Sequence, residues 1–197
     1  PDFWTKKLAK KIVNQKGLFD IIYSANTISH IHNLKETFEA IEISLKKKGI
    51  FILEDPSLLE TLKKNSYDQF YDEHAYVFSL TALKNLISKT GMEIFKVEKL
   101  NTHGGSNRVF FKKKINNKFK ISKKYISYLS DEKKFGIDKF STYKKFAKNV
   151  QNSKRALIKI FKKIKNKGDI IIGYGATYKS STVLNYCGIK NDFIDYF

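Results

Sequence analysis

The chain has 197 residues, 42% of them hydrophobic, enough for one large domain or two small ones with a packed core. No apolar run approaches the ~20 residues that span a bilayer and no signal peptide is visible, so no membrane partner is expected. The net charge of +19 invites a nucleic-acid reading. However, of 38 basic residues only Arg108 and Arg155 are arginine, the side chain whose planar fork reads phosphate and bases. The lysines are spread over presumed helix faces and loops, so nucleic acid is not the expected partner.

A single cysteine, Cys187, excludes an internal disulfide framework and suits a reducing cytoplasm. Four histidines without HExxH-type spacing make a poor set of metal ligands, so no metal is expected on this chain. The first residue is Pro1 rather than methionine, which reads as a fragment or an excised piece.

In chain order, Trp4, Leu8 and Ile12 fall four apart, one face of a helix. Phe19 to Ala25 (FDIIYSA) reads as a buried strand. Asn33 is placed to cap a helix carrying Leu34, Phe38, Ile41 and Leu45. Gly49 ends the connection and IFILE reads as a second buried strand, closed by Pro56. Strand, helix and strand with short links predict a parallel crossover. Ser79 is a plausible cap for a helix with Leu83, Leu86 and Ile87, and Gly91 fits its C-terminal stop. MEIFKVEKL and NRVFFKKK read as two strands joined by NTHGGS, a late antiparallel pair. The polar, lysine-rich stretch from about Lys112 reads as a boundary or an exposed loop. A long helix follows, with Phe140, Tyr143, Phe146 and Val150 on one side, then Leu157, Phe161 and Ile164. GDIIIGYGATYKSSTVLNYCGI reads as strand, glycine turn and helix, with DFIDYF as the next strand.

Four places carry chemistry. Asn26 and His30 follow the first strand, where open α/β sheets bind ligands. A spacing of four puts both on one face of a helical turn. The bland alternative is a turn cap and a surface histidine; His32 reads as surface. YDQFYDEHAYVFS (67–79) packs three tyrosines, two aspartates, a glutamate and a histidine into thirteen residues. Within it, His74 beside a carboxylate suits a base near neutral pH, and a phenol such as Tyr71 suits an oxyanion donor. A solvated acidic loop is the alternative. HGGS (103–106) is either a hairpin turn or a place where backbone approaches a ligand. GYGATYKSS (173–181) opens a helix where anions bind, with Lys179 adding charge. Tyr178 stands where a dinucleotide fingerprint needs its third glycine, so the signal suits some phosphate better than a dinucleotide.

Together, DIIYSANTISHI, YDQFYDEHAYVFS, NTHGGSNRVFF and IIGYGATYKSSTVLNYCGI resemble the sugar C-methyltransferase family. These enzymes use S-adenosylmethionine to methylate nucleotide-linked keto-deoxysugars, typically at C3 of a dTDP-4-keto sugar. The resemblance implies an α/β fold: the C-terminal part of a Rossmann-like class I methyltransferase sheet over 1–115. A helix and the start of a second Rossmann-like, sugar-nucleotide-binding domain then occupy 116–197. The family's zinc-binding part and glycine-rich cofactor loop find no match in this chain. By resemblance His74 is the base, Glu73 orients the sugar or the base, and Tyr71 lines the pocket. Asn26 and His30 contact the sugar or the enolate oxygen, with Ala25 and Asn26 beside the cofactor. His103, Gly104, Gly105 and Ser106 shape the pocket wall, and Gly173, Tyr174, Gly175 and Lys179 face the nucleotide phosphates. A noncatalytic nucleotide-sugar binder and a basic nucleic-acid-binding module are the alternatives.

Overall fold

Local chemistry sets the first elements of the computed structural model, which describes residues 3–175 and 177–196. The Thr5 hydroxyl accepts the Leu8 amide at 3.2 Å and starts α1, Lys6–Lys16. Strand β1, Phe19–Ala25, leads through a 3-10 turn, Ile28–His30, to α2, Leu34–Ser44. Asn33 caps α2 as its sequence predicts, accepting the Glu36 amide while its own amide donates to Glu36 Oε2 at 2.9 Å. Strand β2, Leu45–Pro56, pairs parallel to β1, which is the predicted crossover. Two late strands, β3 (Met92–Leu100) and β4 (Ser106–Lys113), complete one mixed sheet in the order β1-β2-β4-β3. Strand β4 is antiparallel to both neighbours. This is the α/β sheet expected of the second half of a Rossmann-like methyltransferase domain.

The core lies on one face of the sheet. Phe38, Ile41, Phe51, Leu53, Val97, Val109 and Phe111 are buried there. Phe38, Phe51 and Phe111 meet ring to ring with centroids 5.3 to 5.9 Å apart. Helix α4, Leu80–Ile87, adds Leu80, Leu83 and Ile87, and α5, Lys123–Phe135, adds Tyr125 and Tyr128.

Several expectations need correction. Strand β1 is not buried: it is an edge strand, so Ile21 and Tyr23 stand 60% and 57% exposed on the uncovered face. Strand β2 begins at Leu45, before Gly49, and although it is paired on both sides it alternates, with Phe51 and Leu53 buried on the core face and Ile50 and Ile52 half-buried. Between Pro56 and the acidic segment lies an element that the sequence reading did not assign: Ser57 caps a short helix, α3, Leu58–Lys64. The stretch after Lys112 is not simply a boundary, since Ser122 caps α5. Gly91 does not cap α4, which ends four residues earlier. Its amide donates to Glu42 Oε2 at 3.0 Å, and a Cβ there would collide with the Glu42 carboxylate. Helix α6 runs Phe140–Lys165 as predicted, and α7 covers Tyr178–Cys187. The strands expected around them shrink to one parallel bridge, Ile172 to Tyr196, backed by Asp195 N–H to Ile171 O at 2.9 Å. The last residue of DFIDYF, Phe197, like Pro1, Asp2 and Ala176, lies outside the described residues.

Candidate functional site

The end of β1, the 3-10 turn after it, the 67–79 segment, the β3–β4 turn and the start of α7 meet at the C-terminal ends of β1 and β2. Open α/β sheets bind ligands there. A second 3-10 turn, Tyr67–Gln69, begins the acidic segment and places Gln69 inside, 2% exposed. Gln69 joins two of the predicted motifs. Its backbone oxygen accepts from His74 Nδ1 at 2.9 Å, and its side-chain amide donates to the His103 carbonyl at 3.0 Å.

That contact sets the state of His74. A carbonyl can only accept, so Nδ1 carries the proton and Nε2 keeps its lone pair. The Tyr71 hydroxyl lies 2.8 Å from Nε2 and donates to it. Burial lowers the His74 pKa. The Gln69 carbonyl opposes that shift, while His30, Lys179 and His103 add to it. Burial raises the Tyr71 pKa and the Glu73 charge adds to the rise, so the phenol stays a donor. The His30 ring meets the His74 ring edge-on at 5.2 Å, and Tyr71 stacks on Tyr178 at 5.9 Å with planes 7° apart. Lys179 Nζ lies 3.5 Å from His103 Nδ1.

The structure thus brings together His74, Tyr71, His30, His103 and Lys179. Glu73 is exposed, and the acceptor that orients His74 is Gln69 O rather than Glu73. Asn26 and His30 do not share a helical face. Asn26 ends β1 in the left-handed region at φ 50°, its amide donating to Glu54 O, whereas His30 ends the 3-10 turn. Ala25 accepts from Thr27 Oγ1 at 3.0 Å. In the β3–β4 turn, Gly104 and Gly105 have φ of 79° and 132°. The close approach at Gly105 is to α3, where a Cβ would lie 2.8 Å from Glu60 Cβ, and not to an open pocket. The Ser106 hydroxyl closes the turn by donating to Thr102 O. Gly173 donates to Tyr196 O, Tyr174 is fully exposed, and Gly175 has φ 95°. The amides of Thr177 and Ser180 are taken by a capping box, so the first turn of α7 has fewer free donors than its sequence suggests.

Sequence reasoning missed Gln69 and Asp55. Gln69 sits inside the singled-out segment but looks like any polar loop residue. Asp55 sits beside Pro56 at the end of β2 and is 4% exposed. Among the described residues no cluster of three His, Cys, Asp or Glu is placed to hold a metal ion, and no helix is long and apolar enough to cross a membrane.

Residues 2–97 match the methyltransferase domain family and residues 101–197 match the C-methyltransferase C-terminal domain family. The C-methyltransferase NovU of Streptomyces niveus is 28% identical over 194 residues, which is 98% of this chain and 46% of that protein. The chain therefore spans about half the length of the curated relative it matches. A SAM-dependent methyltransferase from Anabaena variabilis aligns over 57% of this chain and 56% of its own, at 17% identity and a TM-score of 0.41. Magnesium protoporphyrin IX methyltransferase (ChlM) from Synechocystis PCC 6803, solved with bound SAH, aligns over 48% and 44%, at 14% identity and a TM-score of 0.36.

Proposed function

We propose that this chain, whose two halves match the methyltransferase domain and C-methyltransferase C-terminal domain families, carries the acid–base half of a C-methyltransferase site. The substrate is a nucleotide-linked keto sugar, a dTDP-4-keto-6-deoxy sugar being the best fit to the motifs. S-adenosylmethionine supplies the methyl group as a sulfonium. The carrying observation is the tautomer of His74, whose Nε2 lone pair faces inward beside a phenol donor.

The residues divide the work as follows. His74 Nε2 takes the proton from the carbon next to the ketone. The C–H electrons move into the carbon–carbon bond of an enolate, whose carbon would take the methyl group as the S–CH3 electron pair leaves on the sulfur of the cofactor. Before substrate arrives, the Tyr71 hydroxyl occupies the base. A ketone oxygen that accepts this hydroxyl frees Nε2 and gains an oxyanion donor in one exchange. His30 stands edge-on to the base and serves the same oxygen or a sugar hydroxyl. Glu73, exposed at the rim, contacts the sugar. Lys179 supplies positive charge for the diphosphate, with His103 beside it and Gly173, Tyr174 and Gly175 alongside. His103 with Gly104, Gly105 and Ser106 forms the wall. Ala25 and Asn26, at the free end of β1, are this chain's contribution to the cofactor. Asn26 fits that role because its exposed side-chain amide makes no hydrogen bond among the described residues and its backbone is left-handed. We place the division between the methyltransferase part and the sugar-nucleotide part near residue 115, with α5 packed back onto the sheet.

In the complete protein, His74→Ala is expected to lower methyl transfer to a dTDP-4-keto-6-deoxy sugar at least 100-fold. Binding of S-adenosylmethionine, followed by calorimetry, is expected to stay within about twofold. Parental turnover in that variant would remove His74 as the base.

A further inference from the structure

Asp55 is the penultimate residue of β2 and lies against the turn that carries His30. Its Oδ1 accepts the Ser29 hydroxyl at 2.8 Å. Its Oδ2 is buried without a hydrogen-bond partner among the described residues. A cavity of about 10 Å³, room for roughly one water, lies against it, lined also by Asn107, Phe78 and Leu83. Ser29 sits next to His30 in the 3-10 turn, and its backbone oxygen accepts the Tyr76 amide at 3.1 Å. Tyr76 lies two residues beyond His74, and its hydroxyl donates to His32 O at 3.0 Å. One serine therefore ties three segments together: the end of β2, the turn carrying His30 and the loop carrying His74.

We propose that Asp55 is a positioning residue for the reaction: through Ser29 it fixes the turn that carries His30 against the loop that carries His74. A neutral amide would accept the Ser29 hydroxyl as well. Burial pushes the Asp55 pKa up to about 6, opposed by the Ser29 hydrogen bond and by His30. An ionised Asp55 is therefore costly to the fold and is not explained as a packing residue. The inference rests on the reading of His74 and His30 as the working pair, and its test keeps the two separable.

The test uses Asp55→Ala and Ser29→Ala as disrupting variants, with Asp55→Asn and Ser29→Thr as conservative ones, in the complete, histidine-labelled protein. The first readout is the NMR cross-relaxation between the His30 and His74 ring protons, which needs no substrate. The second is kcat and KM with a dTDP-4-keto-6-deoxy sugar. Asp55→Ala and Ser29→Ala are expected to weaken the ring-to-ring cross-peak and to lower kcat ~10- to 100-fold with KM nearly unchanged. Asp55→Asn, which keeps an acceptor for Ser29, and Ser29→Thr, which keeps the hydroxyl, are expected to hold both near the parental values. A parental cross-peak in both disrupting variants overturns the proposal, as does a lost cross-peak with parental kcat. An active His74→Ala enzyme would instead sink the assignment of the base and leave the ring contact measurement standing.

Discussion

At the scale of single residues, His74 is the group whose surroundings decide most. Its ring is held at both nitrogens, by Gln69 O and by the Tyr71 hydroxyl. Burial lowers its pKa, and three neighbouring basic groups lower it further. The sign follows directly. A histidine with a lowered pKa stays neutral until the pH falls below its ordinary value of 6.5. The acid limb of the pH profile of kcat/KM is therefore expected below that value. Lys179→Ala removes one of the charges that disfavour the imidazolium, so it is expected to move this limb to higher pH. An unchanged limb in a pH–rate profile would show that the ammonium does not act on His74. The histidine itself was legible in the sequence because YDEH concentrates titratable groups. Its orienting partner was not, because sequence proximity pointed to Glu73 and the backbone of the 3-10 turn delivered Gln69 instead.

At the scale of elements, the helices whose caps lie in their own sequence were the easiest to read. Asn33 and Ser79 cap α2 and α4 as their positions suggest. The start of α4 has a second cap that no local pattern announces. Glu132 of α5, 1% exposed, accepts the Leu80 amide at 2.7 Å, the Thr81 amide at 2.8 Å and the Thr81 hydroxyl at 2.6 Å. Its carboxylate thus faces the positive end of α4 and joins two helices about fifty residues apart in sequence. Glu132→Ala leaves buried amides without an acceptor and is expected to cost ~2–4 kcal/mol. Urea unfolding measures this directly, and a loss under about 0.5 kcal/mol would mean that water replaces the carboxylate. Helices α3 and α5 escaped the sequence reading because short or lysine-rich segments carry weak periodicity. Their apolar positions acquire a face only once the sheet stands beneath them.

At the scale of the whole molecule, β1 is the outer strand of a four-stranded sheet, unpaired on one side among the described residues. Its uncovered face shows Ile21 and Tyr23. Such an edge is a template for pairing with another chain. The 197-residue chain expressed alone is therefore expected to elute from size exclusion larger than a monomer. Ile21→Lys with Tyr23→Lys is expected to shift it towards the monomer. A monomeric parent chain would show that this edge is already protected.

What the sequence determined by itself is the parallel crossover, the late antiparallel pair, the helices with caps in their own sequence and the segments singled out as candidates for the site. Those depend on periodicity, caps and composition, which act over a few residues. Only the tertiary structure decided that the sheet is covered on one face. It alone placed Gln69 as the orienting group of His74, brought Lys179 beside His103 and buried Asp55 under the His30 turn. Each of these is a contact between elements far apart along the chain, and its energy comes from burial and hydrogen bonding that no local pattern encodes.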